Sequence, residues 1–256
     1  MIMILDAAIP HGYTKIANGA FLQSGIISVT IPDSVTSIGD HAFSCTFFKS
    51  INIPENVKHI GEEAFSHSSL MGITIPRGVT RIGKAAFGGC SRLKEVNICA
   101  KVEAISDQAF SLCRVLTTIN IPDSVTSIGD SAFSMCESLE SITIPDSVIS
   151  IGQDAFRYCM NLKNIKFPNG LEYIGDGAFD CTAWSEAQPE GVVHIGSITY
   201  TNSKRKTLRY LPSLCSPEDE NIQENPAEKK SRDDSVDPFD ELAKIFSSPN
   251  KNNHED

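Results

Sequence analysis

Eight cysteines and six histidines are the residues here whose chemistry reaches beyond packing. Six of the cysteines, Cys45, Cys90, Cys113, Cys136, Cys159 and Cys181, recur at intervals in or near multiples of 22–23, each two or three residues after a phenylalanine. His67 and Gln23 fall at equivalent places, so one column of turn residues is expected to hold all eight. Zinc needs four ligands converging in a tetrahedron. Equivalent positions in stacked rungs are instead spread along an axis at about 4.8 Å per step. The column therefore reads as structural, reduced thiols packed in a turn, with weak S–H donors. The histidines (His11, His41, His59, His67, His194, His254) do not cluster. His59 and His67 share a repeat but lie on opposite sides of a glycine turn. No glycine-rich phosphate loop, nucleophile elbow or carboxylate pair with glycosidase spacing can be placed. No catalytic residue, metal site or cofactor is expected.

The repeat that spaces the cysteines dominates the chain. Ile31–Asp40 recurs letter for letter as Ile121–Asp130, 90 residues on. Phe21, Phe43, Phe65, Phe87, Phe110, Phe133, Phe156 and Phe179 keep the same 22- to 23-residue beat. A period in the low twenties marks a solenoid, in which each unit buries its apolar face only against its neighbours. One unit, Leu139 to Cys159, shows the logic. Ile142-Thr143-Ile144 alternates apolar and polar, which predicts a short strand with one buried face. Pro145 lacks an amide donor and ends it. Val148 and Ile151 turn inward again, Gly152 suits a turn needing positive φ, and Ala155-Phe156 plugs the interior. The extra residue of the longer repeats is expected between Phe and Cys, as in Phe110-Ser111-Leu112-Cys113 against Phe43-Ser44-Cys45.

The pattern Ile-Pro-x-x-Val-x-x-Ile-Gly-x-x-Ala-Phe, recurring about eight times between Ile9 and Tyr200, resembles the BspA-like leucine-rich repeat family. The resemblance implies a β-rich solenoid, a leucine-rich repeat right-handed superhelix of about eight repeats. It also implies a binding role, often in surface proteins and adhesins of bacteria and parasitic protists. One repeat departs from the pattern: Cys99 stands for the proline and Ser106 for the glycine, so a kink or looser turn is expected there.

The repeats are expected to occupy residues 1–182. Ile9-Pro10, Ile16 and Ala20-Phe21 already match the pattern. Met1–Ala8 is therefore either a partial strand over the first rung or an exposed edge open to end-to-end self-association. Residues 183–200 read as a hairpin cap. Val192–Ile195 and Ile198–Tyr200 flank Gly196-Ser197, a type II′ turn sequence, and Trp184 can cover the last rung. A basic connector, 201–215, holds Lys204-Arg205-Lys206. Residues 216–256 carry 12 acidic and 5 basic side chains and read as a disordered tail. Within the tail, Phe239, Leu242, Ile245 and Phe246 form one helical stripe, a candidate motif for recruiting a partner.

A net charge of −10 argues against nucleic acid, whose binding displaces phosphate counterions with clustered cations. Met1–Leu5 lacks a basic flank and is cut short by Asp6, so no signal peptide is read and a cytoplasmic location is the default. The family resemblance allows the cell surface or secretion. No window is long and apolar enough for a membrane span. The outward strand positions Thr30, Asn52, Thr74, Asn97, Asn120, Thr143 and Lys166 are the candidate ligand face, with Ser28, Ser50, Gly72, Glu95, Thr118, Ser141 and Asn164 before them. Hydroxyls and amides on a flat sheet suit a protein or glycan ligand. They suit solvent equally, because threonine ladders stabilise a sheet unaided. Non-catalytic binding through this face is the expected function. A surface adhesin and an intracellular scaffold acting through the tail are the alternatives.

Overall fold

The structure is a computed structural model and describes residues 5–188, 191–195 and 198–202. The tail motif Phe239, Leu242, Ile245 and Phe246, the Lys204-Arg205-Lys206 cluster and the Gly196-Ser197 turn lie outside the described residues.

Most repeats contribute one short strand to each of two parallel ladders; residues 50–54 form none, and the first ladder is interrupted between β3 and β6 and between β10 and β12. The first ladder holds β1 (Leu5–Ala8), β3 (Ile26–Thr30), β6 (Gly72–Ile75), β8 (Glu95–Ile98), β10 (Thr118–Ile119), β12 (Ser141–Thr143) and β14 (Asn164–Lys166). The second holds β2 (Lys15–Ile16), β4 (Ser37–Ile38), β5 (His59–Ile60), β7 (Arg81–Ile82), β9 (Ala104–Ile105), β11 (Ser127–Ile128), β13 (Ser150–Ile151) and β15 (Tyr173–Ile174). Register advances one repeat per rung, as in Thr74↔Asn97 and Ile128↔Ile151. Alternation works as the pattern requires: Ile73 and Ile75 are buried while Thr74 between them is exposed. Among the described residues, β1 pairs with β3 as a strand beside the first full rung.

The eight repeat phenylalanines form a continuous stack through the interior. Their seven successive pairs have centroids 5.1 to 5.7 Å apart and nearly parallel rings. Every ring from Phe43 to Phe179 is fully buried. Offset stacks of this kind add to area burial. The rings sit at one height because each Phe amide from Phe21 to Phe156 donates to the next rung's alanine carbonyl, as in Phe133 N to Ala155 O at 2.8 Å.

The structure corrects the expected role of Gly152. Positive φ falls not there but two residues later at Asp154 (53°), and again at Tyr158 (59°). Gly152 is required by close approach. A Cβ would stand 2.5 Å from Asp130 Oδ1 and 2.7 Å from Asp130 N. The space is narrow because the Asp130 carboxylate accepts the Gln153 amide at 2.8 Å, an Asx link from rung to rung. Ser106, which carries the Cβ that glycine avoids, lies where the second ladder breaks between β7 and β9. Its hydroxyl donates to Ile82 O at 2.5 Å, where in other rungs a glycine amide fills that role, as in Gly129 N to Ile105 O at 2.8 Å.

The cysteine column is also corrected, because it is two columns. Gln23, Cys45, His67 and Cys181 share a left-handed position with Gly89, Leu112, Met135 and Tyr158. Cys90, Cys113, Cys136 and Cys159 lie one residue further on, in register with Ser24, Thr46, Ser68 and Thr182. The extra residue of the long repeats therefore lies after the cysteine, in a Cys-x-x-Leu turn closed by Leu116 N to Cys113 O at 3.0 Å. At Ser24, Thr46 and Thr182 the short repeats close this corner with a hydroxyl on their own phenylalanine carbonyl, as in Thr46 Oγ1 to Phe43 O at 2.7 Å, whereas the Ser68 hydroxyl meets Cys90 Sγ. The cysteines instead donate to the preceding rung, as in Cys136 Sγ to Phe110 O at 3.2 Å. No disulfide joins the described cysteines.

At the C-terminal end a short helix, α1 (Ala183–Ala187), precedes the hairpin of β16 (Gly191–Ile195) and β17 (Ile198–Asn202). The sequence reading gave the hairpin but not the helix. Thr182 and Ser185 close it with a reciprocal capping box. Trp184 and Tyr200 meet the Phe179 ring edge-on at 5.3 and 5.9 Å, ending the stack.

Candidate ligand-binding face

The outer face of the first ladder is hollowed into an open groove of about 1150 Å³. Strand alternation points the small polar residues into it, since their isoleucine and valine neighbours face the core. Six of the seven candidates line it: Asn52, Thr74, Asn97, Asn120, Thr143 and Lys166. Thr30 is exposed but lies outside the groove. Ser50, Gly72, Glu95, Thr118 and Ser141 also line it, whereas Ser28 and Asn164 do not.

Asn120 departs from the expectation that it simply points to solvent. Its carboxamide accepts from Ile98 N at 2.7 Å and donates to Ile98 O at 2.9 Å. β10 stops at Ile119, and this amide takes the place of the next peptide group beside β8. Asn120 is thus a strand-completing residue as well as a groove residue.

Two acidic groove residues are absent from the sequence-derived candidates, Asp123 and Asp146. Each follows the repeat proline, and Asp33 is their counterpart near the N-terminus. The repeated Pro-Asp-Ser-Val segment was the available signal. Asp146 accepts the Asn169 amide at 3.2 Å. Glu95, Asp123, Asp146 and Lys166 are the charged residues of the lining, and none makes an ion pair among the described residues. Glu95 and Lys166 belong to rungs three steps apart, about 14 Å along the axis, so they do not act on one atom together.

The remaining titratable groups of note are structural. Burial pushes the Cys90 thiol up to about 11, and Cys113 and Cys136 well above the ordinary thiol range for the same reason. Such thiols are poor nucleophiles at neutral pH. Burial lowers His67, opposed by the nearby Glu63 carboxylate. Burial, then the Asp180 carboxylate, raises Tyr200, whose hydroxyl bridges Asp180 and the Phe179 amide. No group of three or more His, Cys, Asp or Glu side chains suited to a metal ion occurs among the described residues.

Matched against known families, residues 4–117 and 103–220 fit the BspA type leucine rich repeat region, in six copies. The chain belongs to the BspA-type leucine-rich repeat family. Solved members of this repeat class resemble it in fold. A leucine-rich repeat protein from Bacteroides ovatus is 35% identical with a TM-score of 0.52, over 70% of this chain and 41% of that one. A leucine-rich repeat protein from Eubacterium ventriosum is 31% identical with a TM-score of 0.58, over 60% and 42%. The BspA-type solenoid described here thus spans about two fifths of each. No curated protein matches the sequence. No helix among the described residues is long and apolar enough to cross a membrane.

Proposed function

We propose that this protein is a non-catalytic binding module that holds a protein partner in the groove of its first ladder. The hollow itself is the observation that carries the reading. It crosses six rungs, and it is lined by donors and acceptors that rigid strands hold in register. A preorganised array of this kind binds without first ordering its own side chains. A protein is favoured over a glycan because no aromatic ring lines the main groove among the described residues, and stacking on rings is absent there.

The test is site-specific photo-crosslinking in the full-length chain, inside cells that express it. A photoreactive residue at Thr74 or Thr143 should give a discrete adduct. The same residue at Thr126 or Ile149, exposed on the second-ladder side, should not. Adducts confined to Thr126 and Ile149, or equal at all four sites, would overturn the assignment.

A further inference from the structure

Resting on that reading of the groove, we infer that its partner is an extended polypeptide segment with an apolar residue at one end, cationic side chains in the middle and a carboxylate at the other end. Two independent features of the surface carry this. The first is the distribution of charge. Glu95 stands at the N-terminal end of β8, and Asp123 and Asp146 lie past the prolines on the opposite side of the next two rungs. The middle of the groove is therefore flanked by carboxylates on both walls. With no protein cation paired to them among the described residues, these walls complement lysine or arginine. Lys166, on the rung after Asp146, reverses the sign and complements a carboxylate.

The second feature is apolar. Beside the first rungs, Ile27, Phe47 and Met71 are 45%, 57% and 52% exposed. Phe47 is held beside Ile27 by its amide on Ile26 O at 3.2 Å, and Met71 precedes groove-lining Gly72. Ile27 and Met71 hold equivalent positions two rungs apart with exposed Lys49 between them, and large apolar groups kept in water at this end of the hollow offer contact to an apolar side chain. From the Met71 rung to the Lys166 rung is four steps, about 19 Å. An extended chain covers this in about six residues at 3.3 Å each.

Fluorescence polarisation with the full chain tests the inference. The probe is a labelled nonapeptide with a leucine near one end, two lysines in the middle, a glutamate near the other end and serine elsewhere. A second probe replaces both lysines with glutamate. The first should bind at least tenfold more tightly, and the difference should shrink as salt rises from 50 to 300 mM. Glu95→Lys with Asp123→Lys should invert the preference. Glu103→Lys with Glu172→Lys, an equal charge change on the second-ladder side, should leave it intact. Equal binding of both probes, or a preference unmoved by the groove pair in protein with native circular dichroism, would overturn the inference. If groove adducts form in the crosslinking experiment while the peptide preference fails, the interface stands and this partner chemistry falls. If both fail, the groove reading falls with it.

Discussion

Removing Phe133 tests how the solenoid is held together. The ring is fully buried and stacked on both sides, on Phe110 at 5.7 Å and Phe156 at 5.1 Å. Truncation to alanine forfeits the transfer energy of the ring and leaves a cavity, together about 3–5 kcal/mol. Two stacking contacts lie within that figure, each contributing about 0.5–1.5 kcal/mol. The neighbours cannot collapse into the gap, because the amide ladder beside Phe133 fixes the spacing of the rungs. Phe21 is the internal control. It is only half-buried and stacks on one partner, Phe43 at 5.2 Å, so Phe21→Ala should cost about 1–2 kcal/mol, less than burying a full side chain contributes. Urea unfolding followed by circular dichroism measures both. Because stability is a sum over rung interfaces, the central substitution should also broaden the transition by uncoupling the two halves. A Phe133→Ala loss below about 1 kcal/mol, or a Phe21→Ala loss as large, would refute the stacked-core reasoning.

Other substitutions probe the remaining rung contacts. Gly152→Ala should destabilise by about 1–3 kcal/mol through overpacking, while Gly72→Ala, whose Cβ would meet nothing closer than 3.7 Å, should change the urea midpoint little. Asn120→Asp keeps the shape but loses the donor to Ile98 O, and should cost about 1–3 kcal/mol in the same assay. Alkaline pH should weaken the fold. Unfolded thiols ionise near the ordinary value while buried Cys90, Cys113 and Cys136 stay protonated, so the unfolded chain binds fewer protons and stability falls as pH rises past about 9. Each thiol should contribute about 1–2 kcal/mol of that loss by pH 10, and replacing the three with serine should flatten the profile.

The solenoid was legible because its determinants are local and repeated. Ile-x-Ile alternation, the proline stop and the phenylalanine beat each act within one rung, and the copies agree. The Ser106 irregularity was legible for the same reason, as a break in an otherwise uniform column. Contacts between rungs were harder to read. Gly152 looked like a left-handed turn residue because its chain neighbours are plain in the sequence, whereas Asp130 comes to lie beneath it only when the rungs stack. The cysteines merged into one column because Phe-to-Cys distances of two and three look like an insertion, when the residue had in fact changed place within an unchanged turn. The candidate face was drawn from strand positions alone, which captured Thr74 and Thr143. It missed Asp123 and Asp146, since their place in the groove depends on how the chain turns after proline. Helix α1 is five residues long, too short for a periodic signal.

The first-ladder groove is the proposed binding surface. The most direct measurement is the affinity of the full chain for its crosslinked partner when one charge is placed in mid-groove, with circular dichroism on the same samples. Asn97→Lys sits between buried Val96 and Ile98 and lines the hollow, so the fold should change by under about 0.5 kcal/mol. A cation placed among carboxylates that would otherwise meet the partner should weaken binding by at least tenfold, a cost of about 1.4 kcal/mol or more. Thr126→Lys, exposed on the second-ladder side, should leave the affinity unchanged. Full affinity in folded Asn97→Lys, with loss in Thr126→Lys, would contradict the account.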